Sequence, residues 1–427
     1  MLPEVNAHKS LGPSMNIYFS KHQKSISNAQ TVYLDNNATT FMAPEVSKVY
    51  QFQFGNPSSL HTIGRKAFSE LSKARSLIKQ TLNADGNIIF TSGATESNTL
   101  AIKGILEAQP QKKHLITTAV EHLSIIKNFN DLAKRGYEIS YIPISSDGVI
   151  DLDDLSNTIR SDTALVSVMH ANNETGVVFP IADIVRIVKN KGVYIHVDAA
   201  QTFGKIPIDL SQIPIDLMSI SAHKLHGPKG VGGLFIKNGI SISPIIYGGN
   251  QEMGIRAGTE NVPGAVGFGI ASNLAFRNID ENYTYMKNLR DMLEKNIKKL
   301  YPHVDIIGFS QNRLPSTSCI AFKDIDGRVL LQLLDKYGIF ASAGSACCSH
   351  LDKTSHVLDG MGIDPNTARS VVRFSLSRFT TSSEIQHVIS TLSRILLRYG
   401  NALKPNSKPD KECSACNAIK SLEAPNE

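Results

Sequence analysis

Residues 196–201 read His-Val-Asp-Ala-Ala-Gln, and residues 219–230 read Ser-Ile-Ser-Ala-His-Lys-Leu-His-Gly-Pro-Lys-Gly. In each stretch a short apolar segment leads directly into polar side chains, which is the pattern of a buried strand that ends at a functional edge. The first segment delivers an acid, Asp198, and the second delivers a lysine, Lys224. This pairing of strand ends decides the fold and the chemistry that the chain is expected to support.

An acid and a lysine in this arrangement suit pyridoxal phosphate (PLP). Lys224 could form a Schiff base with PLP, and Asp198 could pair with the pyridine nitrogen so that the ring accepts electrons. Ser221 and His223 lie beside the lysine and offer donors to a phosphate. A lone lysine in a glycine-rich loop would more simply be a surface residue, so it is the neighbouring residues that favour a PLP site.

Predicted strands and helices alternate from about residue 43 onward. Helical periodicity predicts helices at 65–82, 96–106, 123–135, 152–159 and 181–191. Apolar runs predict strands at 88–91, 114–118, 139–142, 164–169 and 193–197. This rhythm predicts an α/β fold with a mostly parallel sheet covered by helices on both faces. Ligands of such sheets bind beyond the carboxyl ends of the strands, where Asp198 and Lys224 are expected.

A smaller α+β domain is predicted at 276–400. Helices are predicted near 261–276, 282–300, 328–336 and 383–398, and strands at 304–307, 318–322, 339–341 and 371–375. The large domain is then 32–275, with its N-terminal segment near the small domain. Residues 1–31 are expected to form a flexible extension and residues 401–427, which lose periodicity, a disordered tail.

Composition narrows the class of protein. The chain has 427 residues, of which 41% are hydrophobic and 19% charged, and this predicts a soluble globular protein. The net charge is +6, and the charged residues are interspersed along the chain. This favours a basic site for anionic ligands over a nucleic-acid surface. No apolar run is long enough to span a membrane. We expect no direct contact with nucleic acid or membrane.

Cysteine usage indicates a reducing compartment. The five cysteines are odd in number and do not suggest a disulfide framework, so we expect a cytoplasmic protein. A transit peptide within 1–31 would instead place it in an organellar matrix. Cys319 lies in an apolar strand and is expected to be inert. Cys413 and Cys416 form a CxxC pair with no second pair nearby, so no metal site is predicted.

Several other polar groups follow predicted strands. Thr-Ser-Gly-Ala-Thr-Glu-Ser-Asn at 91–98 joins a strand to a helix, where Ala94 and Thr95 could hold a phosphate at the helix start. Thr95 is equally an ordinary capping residue. His122 could stack on PLP and move protons, or could be structural. Asn173 could bind the ring hydroxyl oxygen, or could belong to an Asn-rich turn.

Arg373, Thr259 and a cysteine loop complete the candidates. Arg373 lies inside an apolar strand and needs an anion, either a substrate carboxylate or a structural partner. Thr259 could bind phosphate or cap a helix. Small residues surround Cys347 and Cys348 at 342–350, which predicts a mobile loop whose thiol reaches a substrate and hands on its cargo. The competing interpretation is a flexible loop with incidental cysteines.

Taken in order, these motifs resemble the class I cysteine desulfurases, the NifS/IscS-like family of fold-type I PLP enzymes, and look closest to the NifS branch. The resemblance covers the chain from residue 33 to about residue 398. The matching motifs lie at 33–40 (Tyr-Leu-Asp-Asn-Asn-Ala-Thr-Thr), 55–59 with His61, 91–98, 172–176, 198–201, 223–224 and 345–347. The fold that it implies is the PLP-dependent transferase fold type I, with a seven-stranded type of sheet.

The resemblance also implies a role for each candidate residue. Those that would contact PLP are Ala94, Thr95, His122, Asn173, Asp198, Gln201, Ser221, His223, Lys224 and Thr259. Gln201 and Asn173 would contact the ring oxygen, and Thr259 would be lent by the other subunit of a homodimer. The catalytic residues would be Cys347, Lys224 and His122. Arg373 and Asn173 would bind the substrate, with Arg373 at its carboxylate.

The implied reaction converts L-cysteine to L-alanine and holds the sulfur as a persulfide on Cys347. An acceptor protein would take it for iron–sulfur cluster assembly or thio-modification. Cys348 doubles the thiol, and the tail lacks the scaffold-docking terminus associated with IscS, so the acceptor stays open. The alternatives are a selenocysteine lyase on the same fold, a class V aminotransferase that needs no thiol, and a sulfur-carrying assembly partner.

Overall fold

The structure is a computed structural model that describes residues 31–50, 55–344, 355–399 and 403. The predicted extension and tail therefore lie almost wholly outside the described residues. So do four of the five cysteines, Cys347, Cys348, Cys413 and Cys416.

The described elements alternate through most of the chain. The strands are β1 (Val32–Tyr33), β2 (Gly86–Thr91), β3 (His114–Thr118), β4 (Glu138–Ile142), β5 (Thr163–Met169), β6 (Tyr194–Asp198), β7 (Leu217–Ser221), β8 (Gly232–Lys237), β9 (Val304–Ile306), β10 (Thr317–Phe322), β11 (Ile339–Phe340) and β12 (Val371–Ser375). The α-helices are α1 (Pro44–Tyr50), α2 (Thr62–Leu82), α3 (Ala94–Ala108), α4 (Leu123–Lys134), α5 (Leu152–Thr158), α6 (Ile181–Asn190), α7 (Val262–Arg277), α8 (Ile279–Leu300), α9 (Gly327–Lys336), α10 (His356–Gly360), α11 (Pro365–Arg369) and α12 (Ser382–Tyr399).

A seven-stranded sheet runs in the order β2-β8-β7-β6-β5-β3-β4. Every pair from β7 to β4 is parallel, whereas β8 is antiparallel to both of its neighbours. The prediction of an α/β fold with a mostly parallel seven-stranded sheet is confirmed. Strand β8 was not predicted, because its Gly-Gly start reads as a continuation of the preceding glycine-rich loop. Strands β3, β5 and β7 are buried at every residue, as expected for strands covered on both faces.

Helix α2 shows why the predicted helices form. Its buried side chains recur at helical spacing, from Ala67 and Leu71 to Ala74 and Ile78. The His61 imidazole accepts a hydrogen bond from Gly64 N at 3.2 Å and caps the helix start. Helix α2 packs closely on α7 because Gly269 has no side chain, where a Cβ would come within 2.8 Å of Ala74 Cα. Such close packing fixes α7 against α2.

A second apolar cluster is formed mainly by residues 289–403. Strands β12, β10 and β9 form an antiparallel sheet, against which α8, α9 and α12 pack. Val32 and Leu34 belong to the same cluster, and β1 pairs in parallel with β11. The first described segment therefore lies with elements made near the end of the chain. The division into domains at residues 275 and 276 stays a prediction.

The sheet gathers polar side chains at one edge. Strands β3, β5, β6 and β7 are parallel neighbours in space, so the residues that follow them meet at their carboxyl ends. Asp198 and Ser221 are the last residues of β6 and β7, and His122 and Asn173 follow β3 and β5 within four residues. No helix in the described part of the chain has both the length and the apolar character to cross a membrane.

Candidate active site

Asp198 sits at the end of the central strand β6 and is buried, with 7% of its surface exposed. Its Oδ2 accepts a hydrogen bond from Asn98 Nδ2 at 2.7 Å, and its Oδ1 accepts one from Ala200 N at 2.9 Å. Both oxygens have fixed donors, so the carboxylate is held in one orientation. Asn98 had no predicted role, although it closes the 91–98 motif.

A chain of hydrogen bonds joins Asp198 to His122. Asn98 Nδ2 also donates to Ser124 Oγ at 2.9 Å, and Ser124 Oγ lies 2.7 Å from His122 Nδ1. The Ser124 backbone N–H donates to the same Nδ1 at 3.1 Å, which makes Nδ1 an acceptor. The neutral imidazole consequently carries its proton on Nε2. Burial lowers the pKa of His122, Asp198 opposes this shift, and Lys224 adds to it, so the neutral form is favoured.

Glu121 lies directly before His122 and is fully buried. Its Oε1 accepts hydrogen bonds from Thr118 Oγ1 at 2.8 Å and from Met169 N at 3.0 Å, which ties the end of β3 to the end of β5. Burial raises the pKa of Glu121 to about 8, against the lowering effect of those two hydrogen bonds. The carboxyl group is therefore largely protonated at neutral pH.

Lys224 lies in the single turn Ala222–Lys224 that follows β7. Its Nζ donates to the backbone oxygens of Asn37 and Ala38, the latter at 2.9 Å. Asn37 and Ala38 belong to the 33–40 motif, so these two hydrogen bonds hold that motif at the end of β7. The turn and this segment together fix the lysine amine at the carboxyl edge of the sheet.

Asn37 connects three of the predicted residues. Its backbone oxygen accepts from Gln201 Nε2 at 3.0 Å as well as from Lys224 Nζ. Its Nδ2 donates to the backbone oxygen of Asn173 at 3.1 Å. Lys205, which is also buried, donates from Nζ to Gln201 Oε1 at 3.0 Å and to Asn37 Oδ1 at 3.3 Å. Neither Asn37 nor Lys205 was assigned a role from the sequence, although each lies within or beside a motif.

Ser221 carries a buried hydroxyl that lacks a partner. The residue is 1% exposed, and within the described structure its Oγ makes no hydrogen bond. A buried donor is normally satisfied, so the unpaired Ser221 hydroxyl is available to a ligand. Gly232 lies beside both Ser221 and Thr91 in register, and a Cβ there would come within 2.6 Å of Gly93 Cα. The glycine lets the start of α3 approach the Ser221 strand end.

The start of helix α3 suits an anion. No side chain caps the helix, so the N–H groups of its first turn, from Ala94 and Thr95 onward, are available to a ligand. His223 Nδ1 lies 3.1 Å from Thr39 Oγ1. Burial and the neighbouring Lys224 lower the pKa of His223 to about 4, so its ring is neutral near pH 7. An uncapped helix start and the unpaired Ser221 hydroxyl fit a phosphate group.

Arg373 is buried at 2% exposure and forms the ion pair that was one of its two predicted uses. One terminal nitrogen donates to Asp35 Oδ1 at 2.6 Å, and the other donates to the backbone oxygens of Asn173 at 3.0 Å and Gly344 at 2.6 Å. Its buried Nε has no partner in the described ranges. Arg373 therefore binds the end of the segment that leads to Cys347, which lies outside the described residues.

Thr259 is exposed and forms no side-chain hydrogen bond with the described site residues. Arg256, three positions earlier, pairs with Glu96 at 2.8 Å and ties this segment to the start of α3. The role of Thr259 in a partner subunit stays a prediction. Cys319 is buried, as predicted, and burial raises the pKa of its thiol to about 12. The Cys319 thiol is accordingly protonated at neutral pH.

Known proteins are similar to this chain in sequence and fold over most of their length. The family model described as Aminotransferase class-V matches residues 32–388. A cysteine desulfurase from Nostoc sp. is 44% identical over 379 residues, which cover 88% of this chain and 94% of that protein. The chain belongs to the class-V aminotransferases, in their cysteine desulfurase branch.

Two further relatives match a similar share of this chain. The cysteine desulfurase NifS of Azotobacter vinelandii is 44% identical over 376 residues, 87% of this chain and 94% of that protein. A solved NifS-like protein has a TM-score of 0.81 and 38% identity, and the match covers 86% of this chain and 100% of that one. The predicted resemblance to the NifS/IscS-like family is confirmed, and so is the predicted fold type I. The roles of its individual site residues stay predictions.

Proposed function

We propose that the protein is a PLP-dependent cysteine desulfurase. It would convert L-cysteine and the Cys347 thiol into L-alanine and a Cys347 persulfide. In this step the bond between Cβ and sulfur of the substrate breaks, a sulfur–sulfur bond forms, and Cβ gains a proton. The persulfide sulfur then passes to an acceptor protein, in the role that the resemblance implies for iron–sulfur assembly or thio-modification.

The observation that carries this proposal is the meeting of Lys224, Asp198 and an unpaired Ser221 hydroxyl at one sheet edge. When bound, PLP supplies a ring that withdraws electrons from the substrate Cα. Asp198 would hold its pyridine nitrogen. Ser221 and His223, with the N–H groups of Ala94 and Thr95, would hold its phosphate. Gln201 and Asn173 would contact its ring oxygen.

The protein side chains move the protons. Lys224 Nζ is oriented by two backbone oxygens and is the group proposed to take the proton from the substrate Cα. His122, whose proton lies on Nε2, would stack on the ring and pass protons near the substrate sulfur. Cys347, as the thiolate, would attack that sulfur.

Arg373 and Asn173 would bind the substrate carboxylate. The Arg373 guanidinium already pairs with the Asp35 carboxylate and keeps one buried nitrogen without a partner. A carboxylate of the substrate would compete with Asp35 for the same planar donors. Asp35 would thus be the partner of Arg373 at rest, and the substrate carboxylate would be its partner during the reaction.

The test is to supply L-cysteine and a reductant to the purified protein and to measure alanine and sulfide together. Equal yields are expected. Cys347→Ala should abolish both products while the visible absorbance of bound PLP persists. Cys348→Ala is the matched control in the same loop, and we expect it to form alanine. Release of sulfide by Cys347→Ala at the parental rate would contradict the assignment of Cys347.

We further propose a homodimer in which Thr259 serves the site of the partner. Its exposed side chain, which forms no hydrogen bond with the described site residues of its own chain, supports this arrangement. Mixed dimers of a Lys224→Ala chain and a Thr259→Ala chain test it. If Thr259 acts across the interface, one site per mixed dimer is complete and activity returns. If Thr259 acts within its own chain, neither site is complete and no such recovery occurs.

A further inference from the structure

Lys205 is a buried lysine that the proposed mechanism does not use. It lies seven residues after Asp198, is 7% exposed, and forms no salt bridge within the described residues. Its Nζ donates to Gln201 Oε1 at 3.0 Å and to Asn37 Oδ1 at 3.3 Å. A lysine without a carboxylate partner is expensive to bury, so its retention here calls for a reason.

The first consequence of Lys205 is geometric. A protonated lysine donates hydrogen bonds and cannot accept them, so both amides must turn their oxygen atoms toward Nζ. The Nε2 group of Gln201 is thereby directed to the backbone oxygen of Asn37, at 3.0 Å, where Lys224 also donates. The Nδ2 group of Asn37 is directed to the backbone oxygen of Asn173, at 3.1 Å. One ammonium group thus orients two amides that line the site.

The second consequence is electrostatic. Burial, together with the nearby positive charges of Lys224 and Arg373, lowers the pKa of Lys205 to about 7. Among the described residues, the ionisable groups that face Lys205 or line its cavity are cationic or imidazole side chains, namely Lys224, His223, His226, Arg373 and Arg378. An anionic atom bound beside Gln201 would stabilise the charged form of Lys205.

We propose that Lys205 is a positioning residue of the active site, which fixes the Gln201 and Asn37 amides and places a positive charge behind them. This inference rests on the proposed function, since Gln201 faces the ring oxygen of PLP only if PLP binds. The charge would stabilise that oxygen as an anion. It would also disfavour a proton on Lys224 Nζ, because two neighbouring positive charges repel each other.

The experiment compares Lys205→Met with Lys205→Arg in the PLP-loaded protein. Methionine has a similar length but neither charge nor donor, whereas arginine keeps both. The readout is the pH midpoint of the visible absorbance change of bound PLP. We expect Lys205→Met to raise the midpoint by about one pH unit, as a lost neighbouring charge does. Lys205→Arg should leave it at or below the parental value. Lys191→Met, which removes an exposed lysine, should leave it unchanged.

Each outcome decides one question. If the parental protein takes up no PLP, the proposed function fails before this inference is reached. If it takes up PLP and forms alanine but the Lys205→Met midpoint stays parental, only the inference is overturned. Should Lys205→Met fail to fold, Lys205→Gln keeps a donor without the charge and must show the same upward shift. A midpoint for Lys205→Gln equal to that of Lys205→Arg would equally overturn the proposal.

Discussion

Replacing Asn98 with leucine should weaken both the fold and the chemistry, because its amide joins Asp198 to Ser124. Leucine is of similar size, so the change deletes hydrogen bonds at 2.7 and 2.9 Å without opening a large cavity. A hydrogen bond to a charged group contributes about 1.5–3 kcal/mol, and one to a neutral hydroxyl about 0.5–1.5 kcal/mol. We expect the free energy of unfolding to fall by about 2–4.5 kcal/mol.

The rate of the reaction should fall because Asp198 loses a hydrogen-bond donor. Asn98→Leu leaves the Asp198 carboxylate with the Ala200 N–H as its remaining donor of the two described above. If the lost bond to the charged group, about 1.5–3 kcal/mol, acts on the transition state, the rate of alanine formation falls by about 10- to 100-fold. Urea unfolding of the PLP-free protein measures the first effect. Alanine formation at saturating cysteine measures the second.

Asn128→Leu is the matched control. The Asn128 amide donates to the Ser124 backbone oxygen at 2.7 Å within α4 and to Thr99 Oγ1 of α3 at 2.9 Å, so it also makes two hydrogen bonds. It forms no bond to Asp198 in the described structure. We expect a loss of stability without the loss of rate. If Asn98→Leu were destabilised to a similar extent as Asn128→Leu but kept the parental rate, the link from Asn98 to the chemistry would be refuted.

Three further predictions concern single side chains. Ser221→Ala should weaken PLP binding by about 10- to 100-fold in equilibrium dialysis, through a lost hydrogen bond to a charged group, yet change the stability of the PLP-free protein by less than about 0.5 kcal/mol. Asp35→Asn removes the carboxylate that competes for Arg373, so KM for cysteine should fall by about threefold to tenfold; an unchanged KM with lower stability would mean that the ion pair is purely structural. Glu121→Gln tests the raised pKa of about 8: between pH 4.5 and 8 the native state binds more protons than the unfolded state, so parental stability falls as pH rises. This decline is at most about 1.4 kcal/mol per pH unit, and the glutamine variant should lack it. If the urea midpoints of the two proteins changed by the same amount between pH 5 and pH 8, the prediction would be contradicted.

Local pattern was enough to predict the strand ends. Asp198 and Lys224 follow apolar runs that stop abruptly, and the sheet topology brings such ends to one edge. Strand β8 was missed because its glycines carry no apolar signal, although they are what allows the start of α3 to approach. The pattern therefore predicts where a strand stops better than it predicts an antiparallel strand inserted between two others.

Contacts between distant segments could not be predicted from local pattern. Asn37 forms hydrogen bonds with Gln201 and Lys224, which lie 164 and 187 positions later in the sequence. The residues next to each of them in the sequence give no indication of these bonds. Lys205 received no prediction from the sequence, because its burial is a property of the assembled fold. For Arg373, the sequence showed that an anion was needed but left its identity open, and the structure supplies Asp35.

The ion pair between Asp35 and Arg373 also sets the order in which the protein can be completed. The two residues are 338 positions apart, and Asn36 Nδ2 likewise donates to the backbone oxygen of Ser375. A ribosome adding about 5–20 residues per second makes the second partner roughly 20–70 seconds after the first. Throughout that interval the segment that orients Lys224 lacks its contacts with Arg373 and Ser375. The sheet can assemble early, whereas a competent site must wait until synthesis is nearly finished.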